Sequence, residues 1–243
     1  MRRFFVDPQS ISENLAILSP EESRHIAIVL RLRAGTAIEL FDGTGLVYQG
    51  LILTVSPKRI TVEILSQYRE QGESSPQLFL FQSLLKGKKM DFLIQKATEL
   101  GVHSFCPVHS TYSENHGNPT RQADRWQRIM LEACKQCNRA SPMRIEPISN
   151  LEEIELSPFE QPLVLWEGER AIRLDATLIS YDGPMALFIG PEGGFHENEI
   201  NMARDLGFKP VSIGPRILRA ETAALSAIAI MQFLSGALSP VRG

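Results

Sequence analysis

The feature that most constrains this chain is a change of hydrophobic pattern across a polar stretch, Tyr68-Arg69-Glu70-Gln71-Gly72-Glu73-Ser74-Ser75-Pro76-Gln77. Before it, apolar residues come in short alternating runs. Ala37-Ile38-Glu39-Leu40-Phe41 meets the turn Asp42-Gly43-Thr44-Gly45 and returns as Leu46-Val47-Tyr48, a hairpin pattern. Residues 51–55 and 60–65 read as further strands. One helix opens near Ser19-Pro20-Glu21-Glu22 and sets Ile26, Val29 and Leu30 on one side. That set suits a small β-barrel over residues 1–70. After the polar stretch, a strand over 78–84 leads into a helix over 90–100 that stops at Gly101. Apolar runs then follow at 163–166, 186–189 and 211–213, and a helix over 196–206, stopped by Gly207, separates the last two. Such alternation marks an α/β domain with a largely parallel sheet over residues 76–243, the polar stretch serving as linker.

Composition narrows the class. Hydrophobic residues make up 43% and charged residues 22% of 243, enough for a core in each half. A formal net charge of −3 predicts no strong general attraction to nucleic acid, so any RNA binding needs local basic patches. The apolar run at 223–234 is interrupted by Ser226 and Gln232 and falls short of the roughly 20 residues of a membrane span. Arg2-Arg3 precedes only Phe4-Phe5-Val6 before Asp7-Pro8, so no signal-peptide hydrophobic region is present and a cytoplasmic location is expected.

Cys134-Lys135-Gln136-Cys137 is formally a C-x-x-C pair, but no second pair completes a zinc site, and it falls inside a predicted helix rather than at a helix N-terminus. With Cys106 it reads as a set of reduced thiols, two of them on a buried face. His103 and His109 flank an apolar segment, His116 lies in a loop and His196 starts a helix. No pair has the spacing of a metalloprotease site, and no metal is expected.

Three strands of the second half end in unusual loops. The first runs into Glu167-Gly168-Glu169, the second into Gly190-Pro191-Glu192-Gly193-Gly194, and the third into Gly214-Pro215-Arg216-Ile217-Leu218-Arg219-Ala220-Glu221-Thr222. Open α/β sheets bind ligands at the carboxyl ends of their strands. Any one such loop is equally readable as a tight turn. Neither a P-loop nor a G-x-G-x-x-G dinucleotide motif is present, which leaves a small-molecule pocket built largely from backbone.

These strings resemble the RsmE family, SPOUT-class methyltransferases that act on N3 of a uridine in the decoding region of 16S ribosomal RNA. Leu84-Leu85-Lys86-Gly87-Lys88-Lys89-Met90-Asp91-Phe92, Gln95-Lys96-Ala97-Thr98-Glu99-Leu100-Gly101-Val102, Glu132-Ala133-Cys134-Lys135-Gln136-Cys137-Asn138-Arg139 and His25-Ile26-Ala27-Ile28-Val29-Leu30-Arg31-Leu32-Arg33-Ala34-Gly35 also look like that family, so the resemblance covers essentially the whole chain. It implies a PUA-like β-barrel followed by a SPOUT α/β domain with a trefoil knot, a homodimer, and S-adenosylmethionine held by the three loops. A knot is too rare to be argued from strand order. By the same resemblance Leu165, Ile189, Gly190, Pro191, Glu192, Gly193, Gly194, Ile213, Gly214, Leu218, Arg219, Thr222 and Ala223 face the cofactor. The loop after Trp166 carries no diagnostic string.

The RNA side has a physical reading of its own. At 100° per residue, Arg121, Arg125, Arg128, Glu132, Lys135, Gln136 and Arg139 share one helical arc, and Trp126, Met130, Ala133, Cys134 and Cys137 the opposite one. An ordinary solvated face is the alternative; five cations against one carboxylate favour phosphate contact. Lys86, Lys88 and Lys89 form a second basic group and Arg2 with Arg3 a third, each also readable as solubilising charge. The RNA-contacting set is then Arg2, Arg3, Lys86, Lys88, Arg125, Arg128, Glu132, Gln136 and Arg139.

The chemistry implied by the resemblance makes demands. Uridine N3 is a protonated imide nitrogen, a poor nucleophile until its proton leaves, so an enzyme must remove that proton or stabilise charge on the flanking carbonyls. Arg219 is the candidate for charge stabilisation, with a salt bridge to Glu221 or Glu192 as its structural alternative. No residue reads as the general base. The rival functions are a SPOUT enzyme acting on another RNA or atom, a ribosome-assembly factor that has lost cofactor binding, and a metabolic enzyme of similar architecture.

Overall fold

The computed structural model describes residues 1–70, 76–113, 118–179 and 182–238. The middle of the expected linker, 71–75, and His116 lie outside them. The chain divides into two compact units, Met1–Gly72 with Leu131–Pro142, and Glu73–Met130 with Met143–Gly243. The grouping of Leu131–Pro142 with the first unit is absent from two continuous ranges.

The first unit contains β1 (Arg3–Phe5), β2 (Ile11–Ser12), β3 (Leu15–Ile17), α1 (Pro20–Arg24), β4 (Ala37–Phe41), β5 (Leu46–Ser56) and β6 (Arg59–Arg69). They form a six-stranded sheet in the order β1-β4-β5-β6-β3-β2, with β1 parallel to β4 and the other pairs antiparallel. The hairpin expected around Asp42-Gly43-Thr44-Gly45 is present, and Asp42 Oδ1 ties the turn by accepting from the Thr44 amide at 2.8 Å. β5 passes through Gly50, where no side chain fits: a Cβ would stand 2.4 Å from the Glu63 carbonyl oxygen. The pairing with β6 shifts register at that point. Alternating residues of these strands, among them Ile38, Leu40, Ile52, Ile60 and Val62, make the core.

The helix near Ser19 starts as expected, with Ser19 Oγ accepting from the Glu22 amide at 3.2 Å. It then widens to a π-turn over His25–Val29, closed by the Leu30 amide on the His25 carbonyl at 3.0 Å. One extra residue per turn rotates Val29 off the apolar face, to 68% exposure, while Ile26 is fully buried.

The second unit follows with β7 (Leu78–Ser83), α2 (Lys89–Glu99), β8 (Ser104–His109), α3 (Pro119–Cys137), β9 (Arg144–Ile145), β10 (Ser149–Asn150), β11 (Leu163–Leu165), β12 (Met185–Ile189), α4 (Glu197–Leu206), β13 (Lys209–Val211) and α5 (Ala220–Leu234), the last turns of α3 belonging to the first unit. Its strands are ordered β10-β8-β7-β12-β11-β13 with β9 beside β8, and every pairing is parallel. β12 is buried along its whole length, the near-continuous apolar run that a parallel sheet covered on both faces requires. Phe81, Val164, Phe188 and Phe208 lead the core on the side of α4, and α2 packs with α5. The observed architecture is therefore mixed α/β with a separate strand-rich unit.

The periodicity of α3 was expected to reach Arg139. The helix ends at Cys137 because Asn138 takes a left-handed conformation, φ 62°. Trp126, Met130, Ala133 and Cys134 are buried as the wheel requires.

Candidate functional site

β12, β11 and β13 lie side by side and point the same way, so their carboxyl ends release three loops at one edge of the sheet. Those loops enclose a cavity of about 910 Å³. Ten of the thirteen expected ligand-facing residues are Leu165, Ile189, Gly190, Pro191, Glu192, Gly193, Gly194, Ile213, Gly214 and Leu218, and all line it; Ala223 makes an eleventh. Arg219 and Thr222 are not among its walls. Both are exposed, Arg219 at the residue just before α5.

The second loop is held from below and from the side. Gln82 is fully buried at the end of β7 and donates from Nε2 to the Gly190 carbonyl at 3.3 Å and the Ser83 carbonyl at 2.9 Å. Glu192 Oε1 accepts from the Lys86 amide and from Lys89 Nζ, each at 3.0 Å. Partial burial pushes the Glu192 carboxyl up, but the Lys86 amide and Lys89 outweigh it and hold it below the usual carboxylate range. Lys89 also lies 3.8 Å from Glu221 Oε2. The two carboxylates suggested as partners for Arg219 therefore share Lys89, which ties the loop to the start of α2.

Two glycines in the string are required by geometry. Gly194 has φ 74°, and a Cβ on it would stand 2.6 Å from Glu167 Oε1. A Cβ on Gly190 would meet the Phe195 ring at 3.0 Å. After Phe195, His196 caps α4: its Nδ1 accepts from the Asn198 amide at 3.2 Å, and its own amide donates to Glu199 Oε2 at 2.8 Å. His196 is a helix cap in this structure.

The first loop contributes what the sequence left open. Trp166, Glu167, Gly168, Glu169, Arg170 and Arg173 all line the cavity. Arg204 lies over the Trp166 ring, 5.1 Å from its centroid. Glu169 Oε1 accepts from the Ala171 and Ile172 amides at 2.6 and 3.0 Å, closing a turn. Those amides hold its carboxyl below the ordinary range. The backbone then pins this loop to the third: the Ser212 amide donates to the Ile172 carbonyl, and the Leu174 amide to the Ser212 carbonyl, each at 2.9 Å. Phe195, Ser212, Pro215, Arg216, Ile217 and Ala220 complete the set of wall residues beyond the thirteen expected. The signal for Arg216 was its place inside a string already singled out, and for Glu167 to Glu169 their place at a strand end; for Arg170 and Arg173 no local pattern marks a ligand contact.

The basic residues fare differently. Arg3 is 8% exposed, its guanidinium donating to Glu70 at 3.0 Å, to Glu39 at 3.3 Å and to the Asn138 carbonyl. Arg139, past the helix end, is also 8% exposed. Neither presents a charge at the surface. Lys135 reaches Glu22 at 2.8 Å and also pairs with Glu132. Burial raises the Glu22 carboxyl more than Lys135 lowers it. Arg125 is exposed but forks onto Asp91, with Nε to Oδ1 at 3.0 Å. Arg2, Lys86, Lys88, Arg128, Glu132 and Gln136 are exposed.

Among the described residues no group of three or more His, Cys, Asp or Glu stands together to hold a metal ion. Cys106 and Cys134 are buried, and burial pushes the Cys106 thiol up to about 12. No helix of the described residues is long and apolar enough to cross a membrane.

Residues 73–232 match an RNA methyltransferase domain, and residues 18–65 match the PUA domain of RNA methyltransferases. A ribosomal RNA small subunit methyltransferase E from Neisseria gonorrhoeae, solved bound to S-adenosylmethionine, is 36% identical, with 96% of this chain and 98% of that one covered and a TM-score of 0.86. The chain belongs to the RsmE family. The RsmE protein of Buchnera aphidicola from Schizaphis graminum is 33% identical over 235 residues, 91% of this chain and 92% of its own. A methyltransferase of Legionella pneumophila, solved with bound S-adenosylmethionine, is 30% identical with a TM-score of 0.88 over 96% of this chain and 97% of that one.

Proposed function

We propose that this RsmE-family chain transfers a methyl group from S-adenosylmethionine to N3 of a uridine in the decoding region of 16S ribosomal RNA, on the small ribosomal subunit. The observation that carries the reading is the cavity at the ends of β11, β12 and β13. Its size of about 910 Å³ suits a nucleoside-sized ligand. Leu165, Ile189, Ile213, Leu218 and Ala223 offer apolar walls for an adenine, and the peptide groups of Gly190, Gly193, Gly194 and Gly214 offer polar partners with no side chain of their own in the way. S-adenosylmethionine supplies an electrophilic methyl group on a sulfonium, a chemistry that needs no metal.

The chain's own residues then have an acceptor to position. Arg219, exposed beside the cavity-lining Leu218 and Ala220, is placed to stabilise charge on the uracil carbonyls. Arg2, Lys86, Lys88, Arg128, Glu132 and Gln136 contact RNA, and Arg125 joins them while holding Asp91. Arg3 and Arg139 serve by shaping the first unit rather than by touching phosphate. The three loops belong to a trefoil knot of the SPOUT kind, the first unit is a PUA-like barrel, and the protein works in the cytoplasm. Two copies pair through α5, a helix rich in Ala, Ile and Leu whose Phe233 is 73% exposed.

The test is methylation of unmodified small subunits with labelled S-adenosylmethionine, followed by mapping of the labelled nucleoside. N3-methyluridine at a single decoding-region position is expected. Label on transfer RNA, on a ribose or on another base atom overturns the assignment, and absence of cofactor binding favours an assembly factor.

A further inference from the structure

Six titratable side chains line the cavity: Glu167, Glu169, Arg170, Arg173, Glu192 and Arg216. The three arginines are permanently charged and have no acceptor atom, so none can take a proton. Glu192 is engaged by the Lys86 amide and by Lys89 at 3.0 Å each. Glu169 is engaged by two amides of its own turn at 2.6 and 3.0 Å. Both sets of donors stabilise the charged carboxylate and make it a poorer base. The hydroxyl in the wall, Ser212, lies 3.3 Å from the Ile172 carbonyl and donates to it.

Glu167 is left. Among the described residues its carboxylate has no hydrogen-bond or ion-pair partner, and although the residue is exposed it lines the cavity and reaches the second loop. Its Oε1 lies where a Cβ on Gly194 would be, 2.6 Å from that position, and the glycine's φ of 74° keeps the space open. A carboxylate therefore rests against the second loop at the cavity, with lone pairs free to accept.

We infer that Glu167 is the general base, the catalytic residue that accepts the N3 proton of the target uracil. The inference rests on the methyl-transfer reading above. The N3 proton passes to a Glu167 carboxylate oxygen, and the electron pair it leaves forms the new N3–carbon bond. The pair of the broken sulfur–carbon bond stays on sulfur, turning the sulfonium into a thioether. RNA covering the cavity mouth would shield this carboxylate from bulk water as the substrate arrives.

The test is Glu167→Gln in the full-length protein, with Glu167→Asp as the shorter acid. Calorimetry with S-adenosylmethionine and binding to unmodified small subunits are expected to match the wild type. Turnover at saturation of both is expected to fall about 100- to 10,000-fold. The residual rate of Glu167→Gln should climb about tenfold per pH unit above neutrality, as hydroxide takes over the proton. Glu167→Asp should fall between the two and keep the wild-type pH profile. Wild-type turnover in Glu167→Gln overturns the inference, as does a reduced rate with an unchanged pH profile. Weaker cofactor binding in the variant with turnover restored at saturating cofactor overturns it too, by making Glu167 a cofactor ligand. Failure of the wild type itself to bind S-adenosylmethionine sinks the methyl-transfer reading before any variant is made.

Discussion

The three-loop cavity and the basic face of α3 begin as similar things, conspicuous residues in a suggestive order, and the structure treats them in opposite ways. Eleven of thirteen expected pocket residues line one cavity. Of the cations expected at the RNA side, Arg3, Lys135 and Arg125 turn out to hold carboxylates. The contrast has a physical cause. A glycine string specifies backbone geometry within a few residues, so its consequence is local. A charge is free or engaged depending on a carboxylate that can lie anywhere in the chain: Glu22 lies 113 residues before Lys135, and Asp91 lies 34 before Arg125.

The sharpest way to break the comparison is at Gly194. Gly194→Val forces a side chain into a left-handed backbone and onto Glu167, and a strain of about 1–3 kcal/mol corresponds to a loss of up to roughly 100-fold in cofactor affinity. Titration calorimetry measures it, and circular dichroism should show the fold unchanged. Affinity equal to wild type would make the string an ordinary turn after all.

Arg3→Ala comes next. Removing the buried guanidinium from between Glu39, Glu70 and the Asn138 carbonyl leaves half-buried acceptors without their partner, at a cost of about 1–3 kcal/mol. Urea denaturation should show it, whereas Arg2→Ala should move stability by less than about 0.5 kcal/mol. Equal effects at the two positions would mean Arg3 is no more structural than its exposed neighbour.

Glu22 offers a smaller effect with a definite sign. Burial raises its carboxyl in the folded protein despite Lys135, which has Glu132 as a second partner. The folded chain thus holds this proton more tightly than the unfolded chain. Its contribution favours folding most below the unfolded value of about 4.3 and declines as pH climbs through the native value. Stability curves of Glu22→Gln should lack that decline, and at pH 7 the variant should be at least as stable as wild type. A variant less stable at pH 7 would show that the ion pair outweighs its burial.

The smallest effect is expected at the RNA side. Arg128 is exposed and donates a 3.4 Å hydrogen bond to the Asp124 carbonyl on its own helix. Arg128→Ala should weaken binding to small subunits modestly, reduce the salt dependence by about one phosphate contact, and change stability by less than about 0.5 kcal/mol. An unchanged salt slope would make this face solvated surface.

What was legible in the sequence follows the same division. β11, β12, the stop at Gly207 and the cap at His196 sit where period and capping chemistry put them, while β13 lies at Lys209–Val211, two residues before the apolar run expected at 211–213. Three things were hidden. The π-turn at His25–Val29 moved Val29 out of the core, and its extra residue leaves no mark in an apolar run. Asn138 ended α3 early and took Arg139 off the basic stripe. The loop from Trp166 to Arg173 is shaped by the amide and carbonyl of Ser212 and by a space at Gly194, partners far away in the chain.

The most direct test of the cofactor site is a calorimetric titration of the wild-type protein and Gly194→Val with S-adenosylmethionine. One site per chain is expected in the wild type, displaced by S-adenosylhomocysteine and weakened in the variant. No binding by the wild type, or equal binding by both, would contradict a cofactor site built from these three loops.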